Sequence, residues 1–170
     1  MSRLNNIIKD KEYYNIVKDI LENDNFNRIK ECKHHGGTRL DHSINVSYKS
    51  YLKAKKYKLD YVSVARAGLL HDFFITDELT KKERKKRLII HPYKALENAN
   101  KYFELNKLEE NIIVSHMFPS LPQKLPKYKE SLLVSITDKI VATKELYHSY
   151  GRTTFNKLAN LYIILITLLK

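Results

Sequence analysis

The sequence predicts an all-α fold, built as a compact helical bundle. Apolar residues recur at the three- and four-residue spacing of an amphipathic helix along almost the whole chain, and no stretch shows the sustained alternation of a strand. Gly 4 and Pro 4 are low counts, so few positions interrupt a helix. A length of 170 residues suits one domain, and no internal repeat or low-complexity linker divides it.

The first half of the chain predicts three helices. An opening helix covers about residues 5–23 and buries its isoleucines, and residues 25–40 form an irregular connection. A second helix starts near Asp41 and runs to about residue 56. Asp60 is a suitable N-cap for a third helix that reaches His71. This third helix is apolar on nearly all sides, so we expect it at the centre of the bundle.

The second half predicts three more helices behind a polar segment. Residues 76–87 are a loop or an exposed helix, after which His91 and Pro92 open a helix, because proline suits a first helical turn. A helix over about residues 105–118 directs His116 toward the core. Three prolines then interrupt the pattern, and a long helix follows over about residues 130–149. Asp138 lies on the buried side of this last helix.

The chain is strongly basic, with a formal net charge of +12, which favours anionic partners. Its lysine runs at 53–58 and 81–87 lack the interleaved aromatic residues of a base-stacking surface. Nucleic acid is therefore a possible partner but not the favoured one.

Compartment and membrane association are predicted from the cysteine count and the apolar segments. Cys32 is the single cysteine, and residues 1–10 lack the apolar core of a secretory signal, so we expect a cytoplasmic protein. The apolar stretch at 161–169 is much shorter than the ~18 residues of a spanning helix. It predicts a core helix or a surface for homo-oligomer formation, not a transmembrane segment.

Four core-directed residues have the wrong chemistry for a core: His42, His71, Asp72 and Asp138. A buried carboxylate costs free energy unless it is paired or bound to a metal. Neither aspartate has a polar neighbourhood of its own. LL precedes the His71-Asp72 pair and FF follows it, and Asp138 is flanked by SIT and KIVA. A divalent cation held by imidazoles and carboxylates would neutralise both.

The order of these residues resembles the HD superfamily of metal-dependent phosphohydrolases. A histidine opens a helix as HSINV, a His-Asp pair closes the next helix as AGLLHDFF, and an aspartate lies in a later helix as SITDKIVA. The resemblance spans about residues 39–145, which makes this the core of the predicted domain 1–170. It implies an HD-type bundle in which His42, His71, Asp72 and Asp138 hold a divalent metal ion.

The resemblance also implies a second metal ion. His91 in IIHPYKALENA and His116 in IIVSHMF lie where two-metal members carry extra histidines, and Asp72 would bridge the two ions. The chain departs from the HD-GYP subgroup, since it lacks the Gly-Tyr-Pro signature and has His116-Met117 where adjacent histidines are frequent. The number of ions per chain, one or two, is therefore left open, and the metal could be Fe, Mn, Co, Ni, Zn or Mg.

The implied activity is hydrolysis of a phosphoester or phosphoanhydride of a nucleotide or dinucleotide by a metal-bound hydroxide, which Asp72 orients as the catalytic residue. The predicted substrate contacts are His35, Arg39, Lys94 and Lys139, with Arg66 as a further cation at the pocket mouth. Two alternatives stay open. One is a phosphodiesterase for cyclic dinucleotides or short RNA, and the other is a non-catalytic nucleic-acid-binding or regulatory protein with a structural metal.

Overall fold

The computed structural model describes residues 10–34, 37–121 and 124–151, and within these ranges the chain is predominantly helical. The helices pack around one hydrophobic core, as the all-α prediction required. In chain order they are α1 (Lys11–Leu21), α2 (Asp24–Asn27), α3 (Arg39–Lys56), α4 (Tyr61–Leu70), α5 (Lys81–Lys85), α6 (Arg87–Tyr102), α7 (Lys107–Ser115) and α8 (Lys129–Leu146).

Polar side chains cap most of the helices. Thr38 caps α3 by accepting a hydrogen bond from the Asp41 N–H, and Asp60 caps α4 by accepting one from the Ser63 N–H. Such caps satisfy N–H groups that have no partner within the helix. The cap at Asp60 confirms the start predicted for the third helix.

α4 is the central helix, as its apolar composition predicts. It packs against α1, α3, α6, α7 and α8, and closest against α3. Gly68 makes this approach possible, since a Cβ atom there would lie 3.0 Å from the Ser47 Cα atom. α4 therefore ends, at Leu70, in the middle of the bundle.

The irregular connection before α3 contains short elements that the sequence did not predict. A 3₁₀ turn covers Arg28–Glu31, and β1 (Lys33–His34) pairs antiparallel with β2 (Gly37–Thr38). Two residues per strand are too few to produce a visible alternation. The part of the predicted opening helix at residues 5–9 lies outside the described residues.

The predicted start of α6 was wrong. The helix begins at Arg87, four residues before His91, and Pro92 lies inside it. Proline leaves the carbonyl of Leu88 without its helical donor, but Leu88 is an exposed residue, so water can satisfy that oxygen. The polar segment before α6 forms a 3₁₀ turn (Thr76–Glu78) and α5.

A π turn, Tyr147–Gly151, follows α8 at the C-terminal end of the described residues. No helix within the described ranges is long and apolar enough to cross a membrane. The apolar stretch at 161–169 lies outside those ranges, so its predicted role stays a prediction.

Candidate metal centre

Six buried histidine and aspartate side chains meet where α3, α4, α6, α7 and α8 come together. His71 and Asp72 directly follow the end of α4, and His116 directly follows the end of α7. The other three project from within α3, α6 and α8. Each of the six is less than a tenth exposed, and together they are His42, His71, Asp72, His91, His116 and Asp138.

Asp138 brings two of the histidines together. Its Oδ1 atom lies 3.0 Å from His42 Nε2 and 3.7 Å from His71 Nε2. One ligand atom from each of these three residues lies within 4.8 Å of the others, so they could hold one metal ion.

Asp72 links this group to the remaining histidines. Its Oδ2 atom is 3.9 Å from His71 Nε2, whereas its Oδ1 atom is 3.5 Å from His91 Nε2 and 3.7 Å from His116 Nε2. Ligand atoms of His71, Asp72 and His116 also lie within 4.8 Å of one another. The two carboxylate oxygens thus face different histidines, a position compatible with bridging two ions.

Backbone carbonyls orient three of the imidazoles. Because a carbonyl oxygen only accepts, each Nδ1 atom carries the proton, and a neutral ring then presents a lone pair at Nε2. The Nδ1-to-oxygen distances are 2.8 Å for His71 to Gly68, 3.0 Å for His91 to Arg87 and 2.7 Å for His116 to Ile113. This is the tautomer in which histidine binds a metal through Nε2.

The Nε2 atoms of these rings fit a bound cation. His71 Nε2 is buried and has no hydrogen-bond partner among the described residues. His91 Nε2 and His116 Nε2 are 2.9 Å apart, which brings two lone pairs together. A divalent ion would satisfy such donor atoms, and imidazole and carboxylate are ligands that Zn, Mn, Fe and related metals accept.

Burial sets the charge of His91 and His116. Loss of solvent, and after it the neighbouring rings of His71 and His91, lower the pKa of His116 to about 3. Burial also lowers the pKa of His91. Both rings are therefore neutral near pH 7, as ligands must be.

His42, which pairs with Asp138, has a raised pKa, in contrast to the lowered pKa values of His91 and His116. Burial alone would lower the pKa of His42, but hydrogen bonds to Asp138 and Glu145 raise it to about 9. Burial would likewise raise the pKa of Asp138, but the hydrogen bond from His42, the nearby His71 ring and the Lys139 ammonium group hold it well below its usual value. In the metal-free protein His42 is an imidazolium between carboxylates, so a metal ion bound at Nε2 would replace its proton.

A cavity of about 370 Å³ borders the cluster. Its volume is at the lower end of the roughly 300–1,000 Å³ of small-molecule sites. Four members of the cluster line it, namely Asp72, His91, His116 and Asp138. Its cationic lining residues are Arg39, Arg87 and Lys139. Its apolar lining residues are Phe74, Leu88, Met117 and Ala142.

Two of the three cations are bound to their own chain. Arg39 stacks on the Phe74 ring at 3.7 Å, donates to the Phe74 carbonyl, and donates to Thr76 Oγ1 at 3.2 Å. Lys139 donates from Nζ to Asp138 Oδ2 at 2.9 Å and to the His116 carbonyl. Arg87 is exposed, so its guanidinium is the most available to a ligand.

The HD-domain family model matches residues 39–143, well over half of the chain. The chain belongs to the HD-domain family. The matched range agrees closely with the 39–145 expected from the sequence. Comparisons with curated proteins and with solved structures gave no match.

Glu145, two residues beyond the matched range, contacts the cluster and was not singled out from the sequence. Its Oε2 atom is 2.7 Å from His42 Nδ1, and its Oε1 atom accepts a hydrogen bond from Asn45 Nδ2 at 3.1 Å. A carboxylate behind a metal-binding histidine fixes the ring and raises its basicity. One signal was available, since Glu145 follows Asp138 by two helical turns on the same helix.

The structure separates two predicted cations from the HD-domain cavity. Lys94 lies 3.4 Å from Glu83 and 3.1 Å from Glu97, and it does not line the cavity. Arg66 pairs with Asp19 and Glu109 instead. Acidic neighbours elsewhere in the fold attract both side chains. His35, a predicted substrate contact, lies outside the described residues, whereas Arg39 and Lys139 do line the cavity.

Proposed function

We propose that this HD domain is a metal-dependent phosphohydrolase that acts on a phosphoester or phosphoanhydride of a nucleotide or dinucleotide. One observation carries the proposal. Four imidazoles and two carboxylates converge beside a cavity whose walls also contain three cationic side chains. Such a site combines metal ligands with groups that attract a phosphate.

The proposed metal ligands divide into two overlapping sets. His42, His71, Asp72 and Asp138 would hold one divalent ion, and His91 and His116 would hold a second with Asp72 between the two. A divalent ion supplies Lewis acidity there, since it stabilises charge on a phosphoryl oxygen and lowers the pKa of water toward neutrality.

The protein side chains would position the substrate. Arg87 is the exposed cation at the cavity wall, and we propose that it binds a substrate phosphate. Lys139 would add positive charge next to Asp138, although its Nζ atom is already bound to its own chain. Asp72 would accept a hydrogen bond from the attacking water and so orient it toward phosphorus.

The cavity also bears on the non-catalytic alternative. A structural metal is enclosed by protein ligands, whereas a catalytic metal keeps a position open to water or substrate. Here Asp72, His91 and His116 all line the cavity, so a ligand in it would reach the proposed metal residues directly. This arrangement favours a catalytic metal.

One further substrate class is favoured by a specific observation. The exposed basic segment 81–87 leads directly into Arg87 at the cavity wall. A substrate with several phosphates, such as a cyclic dinucleotide or a short RNA, could extend from the cavity along this segment. A phosphodiesterase is therefore the second candidate.

The test is a hydrolysis assay on protein of measured metal content. Nucleotides, dinucleoside polyphosphates, cyclic dinucleotides and short RNA would each be assayed with added Mn²⁺, Fe²⁺ or Co²⁺. We expect turnover on one class, and we expect Asp72→Asn to abolish it. Asp77→Asn is the matched control, since Asp77 is an exposed aspartate on the same connection.

Three outcomes separate the candidates. Turnover of mononucleotides or dinucleoside polyphosphates supports the first candidate, and turnover of cyclic dinucleotides or RNA alone supports the second. No hydrolysis of any class by fully metal-loaded protein would contradict both and favour a binding protein.

A further inference from the structure

Four large apolar side chains are exposed near the cavity. Three project from the first two turns of α6, and the fourth lies on the connection before α8. They are Leu88, Ile89, Tyr93 and Leu125, with exposed fractions of 64 %, 50 %, 44 % and 61 %. Leu88 also lines the cavity, and the Lys124 ammonium group lies 5.9 Å from the centre of the Tyr93 ring. The fold therefore brings the connection before α8 next to the start of α6.

Exposed lysines surround these apolar side chains. Lys124 is one of them, and four others directly precede α6: Lys81, Lys82, Lys85 and Lys86. Among the described residues, the nearby acidic side chains pair with other cations, since Glu83 contacts Lys94 at 3.4 Å and Glu78 contacts Arg28 at 2.6 Å. The positive charge of the four lysines is therefore not neutralised by these neighbours.

Part of the other lysine run, at 53–58, is held by the protein itself. Lys55 pairs with Glu12 at 2.6 Å, and Lys53 donates a hydrogen bond to Thr137 Oγ1 at 3.2 Å. Fewer cations of that run are therefore available to a partner than at the start of α6.

We propose that a basic–apolar surface, made of residues 81–89 with Tyr93, Lys124 and Leu125, docks the protein on a bilayer that contains anionic phospholipids. Its charge is complementary to such a bilayer, because lysines close to an anionic lipid surface are attracted by its negative potential. Its leucine and isoleucine side chains would enter the boundary between headgroups and acyl chains, and tyrosine suits the headgroup level. The surface thus combines the two signals, charge and apolar area, that stable attachment requires.

Lipid is favoured over nucleic acid because of the apolar residues. A nucleic-acid surface combines cations with aromatic rings on which bases stack. Here three of the four exposed apolar side chains are aliphatic, and Lys124 lies over the ring of the fourth, Tyr93. Aliphatic side chains gain free energy when they leave water for the acyl region, and they offer bases no ring to stack on.

Docking would turn the cavity toward the lipid headgroups. Arg87 and Leu88 belong both to the basic–apolar surface and to the cavity wall. Attachment itself needs no hydrolysis, so it can be measured whatever the substrate is.

Vesicle sedimentation tests the attachment with the full chain. We expect binding to vesicles of phosphatidylcholine and phosphatidylglycerol, and at least about tenfold weaker binding to phosphatidylcholine alone. Lys82→Glu with Lys85→Glu should lower binding to the anionic vesicles by more than about tenfold. Lys11→Glu with Lys18→Glu, at exposed positions on α1, is the matched control. It changes the net charge equally but should alter binding by less than about twofold, since distant charges are screened by salt.

An introduced tryptophan tests whether the apolar residues enter the bilayer. The chain has Trp 0, so a single tryptophan reports only its own surroundings. In Ile89→Trp, anionic vesicles should shift the emission to shorter wavelength, and brominated lipids should quench it. Leu52→Trp is the matched control, because Leu52 is 46 % exposed next to the other lysine run. It lies about 20 Å further along α3 than the cavity residue Arg39, so its emission should not change.

Several results would overturn the proposal. Equal binding to the two kinds of vesicle, or unchanged binding of Lys82→Glu with Lys85→Glu, would exclude charge-driven attachment at this surface. Unchanged emission of Ile89→Trp would exclude insertion. RNA binding that this double variant loses, without vesicle binding by the wild type, would assign the surface to nucleic acid. An emission shift of Ile89→Trp that depends on protein concentration and needs no vesicles would show that a second copy covers it.

Discussion

Glu145→Gln tests whether the carboxylate behind His42 strengthens metal binding. Glu145 Oε2 is 2.7 Å from His42 Nδ1, and the Glu145 side chain is only 22 % exposed. Glutamine keeps the shape and an acceptor oxygen but removes the charge. A hydrogen bond to a charged group contributes about 1.5–3 kcal/mol and a neutral one about 0.5–1.5 kcal/mol. We therefore expect the variant to lose about 1–1.5 kcal/mol of metal-binding free energy, or roughly tenfold in Kd.

This loss should depend on pH, because Asp138 and the same Glu145 carboxylate together raise the pKa of His42 to about 9. At pH 7.5 a metal ion must displace the Nε2 proton, which costs the wild type about 2 kcal/mol at 1.36 kcal/mol per pH unit. That cost disappears as the pH rises through the folded-state pKa, so wild-type affinity should increase from neutral pH to about pH 9 and then level off. In Glu145→Gln the pKa of His42 is lower, so its affinity should level off earlier. The difference should be small at neutral pH and reach tenfold above about pH 9.5.

The assay is calorimetric titration of metal-free protein with Mn²⁺ at several pH values. Two buffers of different ionisation enthalpy give the number of protons released. At pH 7.5 we expect the wild type to release about one proton from His42 per ion bound, and the variant to release fewer. Glu104→Gln, at an exposed glutamate, is the control. A deficit that is independent of pH, or no deficit at high pH, would refute the reasoning.

Three further predictions follow from the site and the charge. His116→Ala should lower the metal content toward one ion per chain and reduce kcat more than it changes KM, and an unchanged ratio by elemental analysis of folded protein would exclude His116 as a ligand. Arg39→Ala should lower the free energy of unfolding in urea by about 1–3 kcal/mol, because two hydrogen bonds and the stacking on Phe74 are lost. Unchanged stability with a raised KM would instead support the substrate contact predicted from the sequence. Nucleic-acid binding, measured by fluorescence anisotropy, should be weak and fall steeply with salt, and tight binding at high salt would favour a regulatory protein.

Much of the fold could be predicted because its signals are local. Helical spacing of apolar residues and the cap at Asp60 act over a few positions, so the central helix was predictable, with an end at His71 that lies within one residue of the observed end at Leu70. The start of α6 was not, because the preference of proline for a first turn is weaker than the packing that holds Arg87–Tyr102 as one helix.

The residues of the cluster could also be predicted from the sequence. Core-directed positions indicated His42, His71, Asp72 and Asp138, and the resemblance to the HD superfamily added His91 and His116. Their partners could not be predicted. Helical spacing places Glu145 on the same side of α8 as Asp138, but Glu145 lies 103 positions from His42 along the chain, and no local pattern pairs those two residues. Only the packing of α3 against α8 makes this contact visible.

The sequence by itself determined the helical class, the family and the residue types of the candidate site, because periodicity and the His-Asp order are properties of the chain. Only the tertiary structure decided what each cation does. Arg39 holds the Phe74 carbonyl, Lys94 pairs with acidic residues outside the cavity, and Arg87 stands exposed at its wall. A long cationic side chain reaches several angstroms in any direction, so its partner depends on which distant segments the fold brings within that reach.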